Sequence, residues 1–220
     1  MRDGKSPIGL LGGTFDPIHF GHLRMAEELA EALGIEQVRF IPAGSPPHRG
    51  RPRAEARHRL EMARRAVAGN PRFVLDDREI VRERPSYSVD TLTDLRAENP
   101  VGTPLVLFMG SDAFLGLTTW HQWHRLFDLA HVAVAHRPGF SPSLWEEALP
   151  DALRRELDKR LTDQADDLIA APAGKVFLHP ITQLDISASQ IRERCLRGKS
   201  LRYLLPDPLI DYLYENRLYV

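Results

Sequence analysis

Cys195 is the only cysteine in 220 residues, so the chain can form no internal disulfide and no cysteine-based metal cluster. Such usage fits a reducing cytoplasm, the expected location. Long apolar runs are missing too. No stretch approaches the roughly 20 apolar residues of a membrane span, and the N-terminal apolar stretch is too short for a signal core. Neither a membrane partner nor a processed leader is expected. Neither sign of charge dominates: the formal balance is -1, which supplies no general attraction to nucleic acid or to a membrane surface. Any anion site must be local. The phosphate loop GxxxxGK followed by Ser or Thr is absent, as are the GxGxxG dinucleotide fingerprint, HExxH and the GxSxG elbow. These absences argue against the usual kinases and dehydrogenases, zinc hydrolases and serine hydrolases.

What is present starts with an apolar run, Ile8 to Leu11, that breaks into Gly12-Gly13-Thr14-Phe15-Asp16-Pro17-Ile18-His19-Phe20-Gly21-His22 and then into a helical pattern. A strand feeding a Gly-Gly turn brings backbone N–H groups close to a ligand, and the following helix aims its positive end at the same place. His19 and His22 lie one helical turn apart, so both imidazoles can face one bound anion. Taken together, these features point to a phosphate site.

Six β-prone runs alternate with helical patterns: Ile8 to Leu11, Val38 to Ile41, Phe73 to Leu75, Leu105 to Met109, Val132 to Ala135 and Val176 to Leu178. Such alternation predicts a Rossmann-like α/β fold, a doubly wound parallel sheet with helices on both faces and a small C-terminal helical part. Residues 1–220 are expected to form one domain. Helices are predicted from about Gly21 to Leu33 with Gly34 as the stop, from about Ala54 to Ala68, and from Ser88 to Glu98 with Ser88 as the cap. A helical surface insertion is expected over about 140–173, including helical stretches from Leu144 to Leu149 and from Leu153 to Leu161, and C-terminal helices over about 187–217. Asp163 to Asp167 reads as a solvated helix end or turn.

Further segments are expected at the same edge of the sheet. The loop Pro42 to Pro52 carries His48 and Arg49 and is either a ligand loop or a basic connector. Gly110-Ser111-Asp112 follows a strand, where Asp112 can accept from ribose hydroxyls or simply start a helix. Trp120 offers a flat face for a planar heterocycle or a core contact, whereas Trp123, followed by Leu126 and Phe127, belongs to the core. Arg137 leaves a strand toward the same edge and either meets phosphates or forms a surface ion pair. Ser187 or Ser189 can cap a helix whose N–H groups, with Arg192, grip phosphate oxygens. Cys195, in a helix rich in Arg and Glu, reads as an incidental thiol.

Gly12 to His22 resembles the nucleotidylyltransferase signature GGTFDPxHxGH. Pro46-Pro47-His48-Arg49, Pro85-Ser86-Tyr87-Ser88, Gly110-Ser111-Asp112, Trp120, Arg137-Pro138-Gly139 and Ile186 to Arg192 resemble the bacterial nicotinate-nucleotide adenylyltransferases, the last matching ISxTxIR. The resemblance runs from about Ile8 to Tyr219. It implies transfer of AMP from ATP to nicotinate mononucleotide, giving deamido-NAD and pyrophosphate with Mg2+ carried on the phosphates. It further implies that His19 and His22 hold ATP phosphates while Gly12, Gly13 and Thr14 line the nucleotide turn. Gly110 and Asp112 would approach the ribose, and Ser187, Ser189 and Arg192 the β- and γ-phosphates. Trp120 would stack on the pyridine ring, backbone amides near Ser88 and His121 would hold its carboxylate, and His48 and Arg49 would lie near the mononucleotide phosphate. Ser189 stands where the family usually has Thr, and His121 where an aromatic such as Tyr is familiar. Alternatives are an adenylyltransferase for nicotinamide mononucleotide or pantetheine phosphate, and a non-catalytic nucleotide sensor. The sequence leaves monomer or homo-oligomer undecided.

Overall fold

A computed structural model describes residues 6–46, 51–136 and 149–220. Its centre is a parallel sheet of seven strands: β1 (Ile8–Gly13), β2 (Gln37–Pro42), β3 (Phe73–Leu75), β4 (Leu105–Gly110), β5 (His131–His136), β6 (Leu161–Thr162) and β7 (Val176–Pro180). The order is β3-β2-β1-β4-β5-β7-β6. From β1 the chain first winds toward β3, then returns to lay β4 on the other side of β1 and winds the opposite way. That reversal opens a crevice at the carboxyl ends of β1 and β4, where such sheets take ligands.

The sheet is buried on both faces, and its strand residues divide between two cores with period two. Leu11, Val106, Phe108, Ala133, Ala135 and Phe177 face one core. Ile8, Leu10, Leu105, Leu107, Met109, Val132, Val134 and Val176 face the other. Over the first face lie α1 (Phe20–Leu33), α2 (Ala56–Val67), α7 (Ala165–Ala170), α8 (Ala188–Leu196) and α9 (Asp207–Glu215). Over the second lie α3 (Ser88–Glu98), α4 (Ser111–Leu115), α5 (Leu126–Leu129) and α6 (Asp151–Arg160). In α1 the apolar stripe Ala26, Leu29, Ala30 and Leu33 is buried as its spacing predicts, and Gly34 ends the helix at φ 61°. That left-handed conformation suits a residue without Cβ.

Three expectations are corrected. Leu161 does not extend the preceding helix: α6 ends at Arg160, and Leu161–Thr162 pair in parallel with Val176 and Phe177 as the outermost strand. The stretch after 148 is therefore not only surface helices, since it adds a strand and buries Leu149, Leu153, Leu157 and Leu168 in the cores. Ser88 is not a cap. Tyr87 occupies the N-cap position of α3 and Ser88 is its first helical residue, so no hydroxyl closes that helix start.

Candidate active site

Gly12 and Gly13 are the last residues of β1, in register with Ile41 and Pro42 at the end of β2. Gly12 is exposed at this central carboxyl end. A Cβ on Gly13 would lie 2.7 Å from the Phe15 ring, so the turn closes tightly only because that side chain is missing. Phe15 takes φ 50°, and the Asp16–Pro17 peptide is cis. The chain then enters α1 through His19 at the N-cap.

The two histidines differ in their surroundings. His19 is 7% exposed, and its side chain faces the His22 backbone N–H in a capping box at the start of α1. Burial pushes its pKa down to about 4, so the imidazole is neutral near pH 7. His22 Nδ1 accepts from the His19 backbone N–H at 3.2 Å, which places the neutral ring's proton on Nε2. The rings lie 3.8 Å apart between centroids, and the Phe15 ring meets His22 edge-on at 5.3 Å. No acid stands in the first turn of α1, so the helix keeps its full positive end.

The start of α8 sits beside this corner. A Cβ on Gly21 would come 3.6 Å from the Ile186 carbonyl, and Phe20 N–H donates to the Leu204 carbonyl at 3.1 Å. Ser187 is the N-cap. Its Oγ accepts from Gln190 N–H at 3.2 Å, and Gln190 returns a side-chain bond to Ser187 N–H. Arg192 donates to Ser189 Oγ at 3.0 Å and to the Asp16 carbonyl at 2.7 Å. Thus Ser187, Ser189 and Arg192 are brought against the nucleotide turn although they follow a strand three places from β1. Like α1, α8 has no acid in its first turn.

Gly110 ends β4, next to β1, and a Cβ there would meet nothing within 4 Å. Asp112 is exposed in the first turn of α4. Trp120 follows β4 after α4 and a single 3₁₀ turn, Leu117–Thr119. It is half-buried, while Trp123, Leu126 and Phe127 are core as expected. His121 is exposed, with its ring 4.4 Å from that of Tyr87. This contact sets the Trp120–His121 turn beside Ser88 at the start of α3, whose first N–H groups have no intrahelical acceptor. His48, Arg49 and Arg137 lie outside the described residues.

Several residues that hold the site were not singled out from sequence. Asp16 accepts from the N–H groups of Arg53 (2.7 Å) and Ala54 (3.0 Å) and from the Tyr219 hydroxyl at 2.6 Å. Burial and Asp16 raise the Tyr219 pKa, so the phenol stays a donor. Arg59 is 1% exposed and donates to the carbonyls of Thr14 (2.8 Å), Gly44 (2.8 Å), Ala54 (3.3 Å) and Ala43. One signal was available: Arg59 shares the helical phase of the buried Met62, Ala63 and Val67.

A parallel sheet whose central strand runs through Gly-Gly into a helix opened by HxGH defines a nucleotidyltransferase, and the family model for cytidylyltransferase-like proteins matches residues 10–194. A protein of Dechloromonas aromatica (strain RCB) described as a probable nicotinate-nucleotide adenylyltransferase is 52% identical over 98% of both chains. Its counterpart in Halorhodospira halophila is 48% identical over 100% of this chain and 98% of its own. Within the cytidylyltransferase-like proteins, the chain belongs to the nicotinate-nucleotide adenylyltransferase family. The fold is shared with the nicotinic acid mononucleotide adenylyltransferase of Plasmodium falciparum solved in complex with NaAD, at TM-score 0.72 and 18% identity over 97% of each chain.

Proposed function

We infer that the protein transfers AMP from ATP to nicotinate mononucleotide, giving nicotinate adenine dinucleotide and pyrophosphate in NAD biosynthesis. The observation that carries this reading is the meeting of two acid-free helix starts, α1 and α8, at the end of β1, with the paired imidazoles of His19 and His22 stacked at the first of them.

The acceptor's phosphate is already a nucleophile and needs no strong base; positioning and charge neutralisation suffice. Gly12, Gly13 and Thr14 admit the nucleotide to the turn. His19, neutral before ligand arrives, and His22, with its proton on Nε2, donate to phosphate oxygens and stabilise the charge that builds at the α-phosphorus. Ser187, Ser189 and Arg192 bind the leaving pyrophosphate portion, and Arg137 supports the same phosphates. Gly110 and Asp112 take the adenosine ribose. Trp120 stacks on the pyridine ring, backbone N–H groups at Ser88 and His121 receive its carboxylate, and His48 and Arg49 attend the mononucleotide phosphate. The described residues contain no group of three or more His, Cys, Asp or Glu able to hold a metal. Mg2+ would enter with ATP, where it would neutralise phosphate charge. Among the described residues no helix is long and apolar enough to cross a membrane. A cytoplasmic location rests on the single cysteine.

The test is pyrophosphate release from ATP with nicotinate mononucleotide, nicotinamide mononucleotide or pantetheine phosphate as acceptor. Preference for the acid is expected by at least tenfold, the scale of one lost charge-assisted contact, about 1.4 kcal/mol or more. Equal rates with acid and amide would defeat the acid preference. Tight ATP binding with no pyrophosphate released with any acceptor would identify a sensor.

A further inference from the structure

Arg59 stands behind the site without entering it. Its hydrogen bonds run to carbonyls, which satisfy its donors, while its charge is met only through space by the Asp16 carboxylate and desolvation remains the larger effect. Burying a cation in this way is costly, and an apolar side chain of similar size would fill the same space at lower cost. What the guanidinium does that an apolar group cannot is hold three separate segments at once. Thr14 belongs to the nucleotide turn, Ala43 and Gly44 to the exit of β2, and Ala54 to the approach to α2. Asp16 binds the last of these from the other side through Arg53 and Ala54 N–H.

The linkage continues beyond Gly44. Ser86 Oγ accepts from Gly44 N–H at 3.1 Å and Ser45 N–H at 3.3 Å, and Ser86 N–H donates back to the Ser45 carbonyl at 3.1 Å. A Cβ on Gly44 would lie 2.0 Å from the Glu79 carbonyl, so this crossing tolerates no side chain. Ser86 is followed by Tyr87, which packs on His121, and by Ser88, which opens α3. One continuous set of bonds thus joins Thr14, on the ATP side, to the first turn of α3, on the acceptor side.

We propose that Arg59 is a positioning residue that fixes the spacing between the nucleotide turn and the acceptor pocket, and so the distance between acceptor phosphate and α-phosphorus. The proposal rests on the adenylyl-transfer reading above. Reacting atoms must approach to about 3–3.5 Å, and a shift of about 1 Å can lower the rate on the order of 10²-fold. Each substrate on its own still finds its half of the site.

The test uses the full chain with Arg59→Lys, Arg59→Met and Ser86→Ala, by steady-state kinetics and by calorimetric titration with an ATP analogue and with nicotinate mononucleotide separately. Lysine keeps the charge but not the planar fork that reaches several carbonyls. For Arg59→Lys, kcat per binding-competent molecule is expected to fall at least about tenfold while each dissociation constant stays within about threefold. Ser86→Ala should show the same split at about threefold or more in kcat, and it carries the test alone if the Arg59 variants do not fold. A merely structural role would lower the melting temperature and the binding-competent fraction and leave kcat per competent molecule unchanged; that result overturns the proposal. So does loss of binding with kcat intact. A wild-type protein inactive toward nicotinate mononucleotide would instead mark failure of the proposed function.

Discussion

The two helix starts that meet at the end of β1 carry the same reciprocal cap built from different side chains. At α8 the polar groups are closed on one another: Ser187 caps Gln190, Gln190 caps Ser187, and Ser189 is held by Arg192. At α1 the two cap side chains are imidazoles, and burial keeps that of His19 neutral. Serine and glutamine are committed to their cap, whereas an imidazole has a second ring nitrogen that can donate to a phosphate oxygen. Stability should therefore depend more on the side chains of α8, and activity more on those of α1.

The strongest way to break this contrast is His22→Ala, which should lower turnover about 10²- to 10³-fold, the scale of one lost donor at a developing charge, with little change in melting temperature. Near-normal turnover measured by pyrophosphate release would end the assignment of α1 as the reactive corner.

A pH series sharpens it next. His19 has its pKa lowered from 6.5 to about 4 in the folded protein by burial, so the unfolded chain binds the proton more readily. The stability that follows is present above pH 6.5 and is lost as pH falls toward 4. Its upper bound is on the order of 3 kcal/mol, at about 1.4 kcal/mol for each tenfold change in proton affinity. Urea unfolding of wild type and His19→Asn at several pH values should show the wild type losing more over that interval. Parallel curves would remove the desolvation cost from His19.

Ser187→Ala is the smaller test, on the other helix. Loss of the cap should cost about 1 kcal/mol in urea unfolding. A ligand-free stability unchanged by this substitution would mean that α8 is not the self-sufficient start.

Much of this contrast could be read in the chain before any coordinates. The inner strands are apolar runs buried on both faces, so their bounds fell within two residues of Ile8 to Leu11, Leu105 to Met109 and Val132 to Ala135. Strand β6 was hidden because Leu161 continues the fourfold spacing of Leu153 and Leu157, yet is exposed and pairs through its backbone. Histidines and serines were legible because their positions within a local motif limit what they can face. Arg59 was not, since it lies among Arg57, His58, Arg64 and Arg65, where charge reads as a solvated helix face. Its carbonyl partners lie up to 45 positions away, beyond any local spacing rule. Asp16 stood inside a recognised motif, but its partners Arg53, Ala54 and Tyr219 are equally remote.

The bond between Tyr219 and Asp16 spans 203 positions. Closing a contact so distant along a chain must overcome the entropy of a large loop, a cost that falls once the intervening elements have assembled. This phenol can therefore report on the closing of the pocket. The part of the ultraviolet difference signal that Tyr219→Phe removes during refolding would time the moment at which the nucleotide turn acquires its working shape.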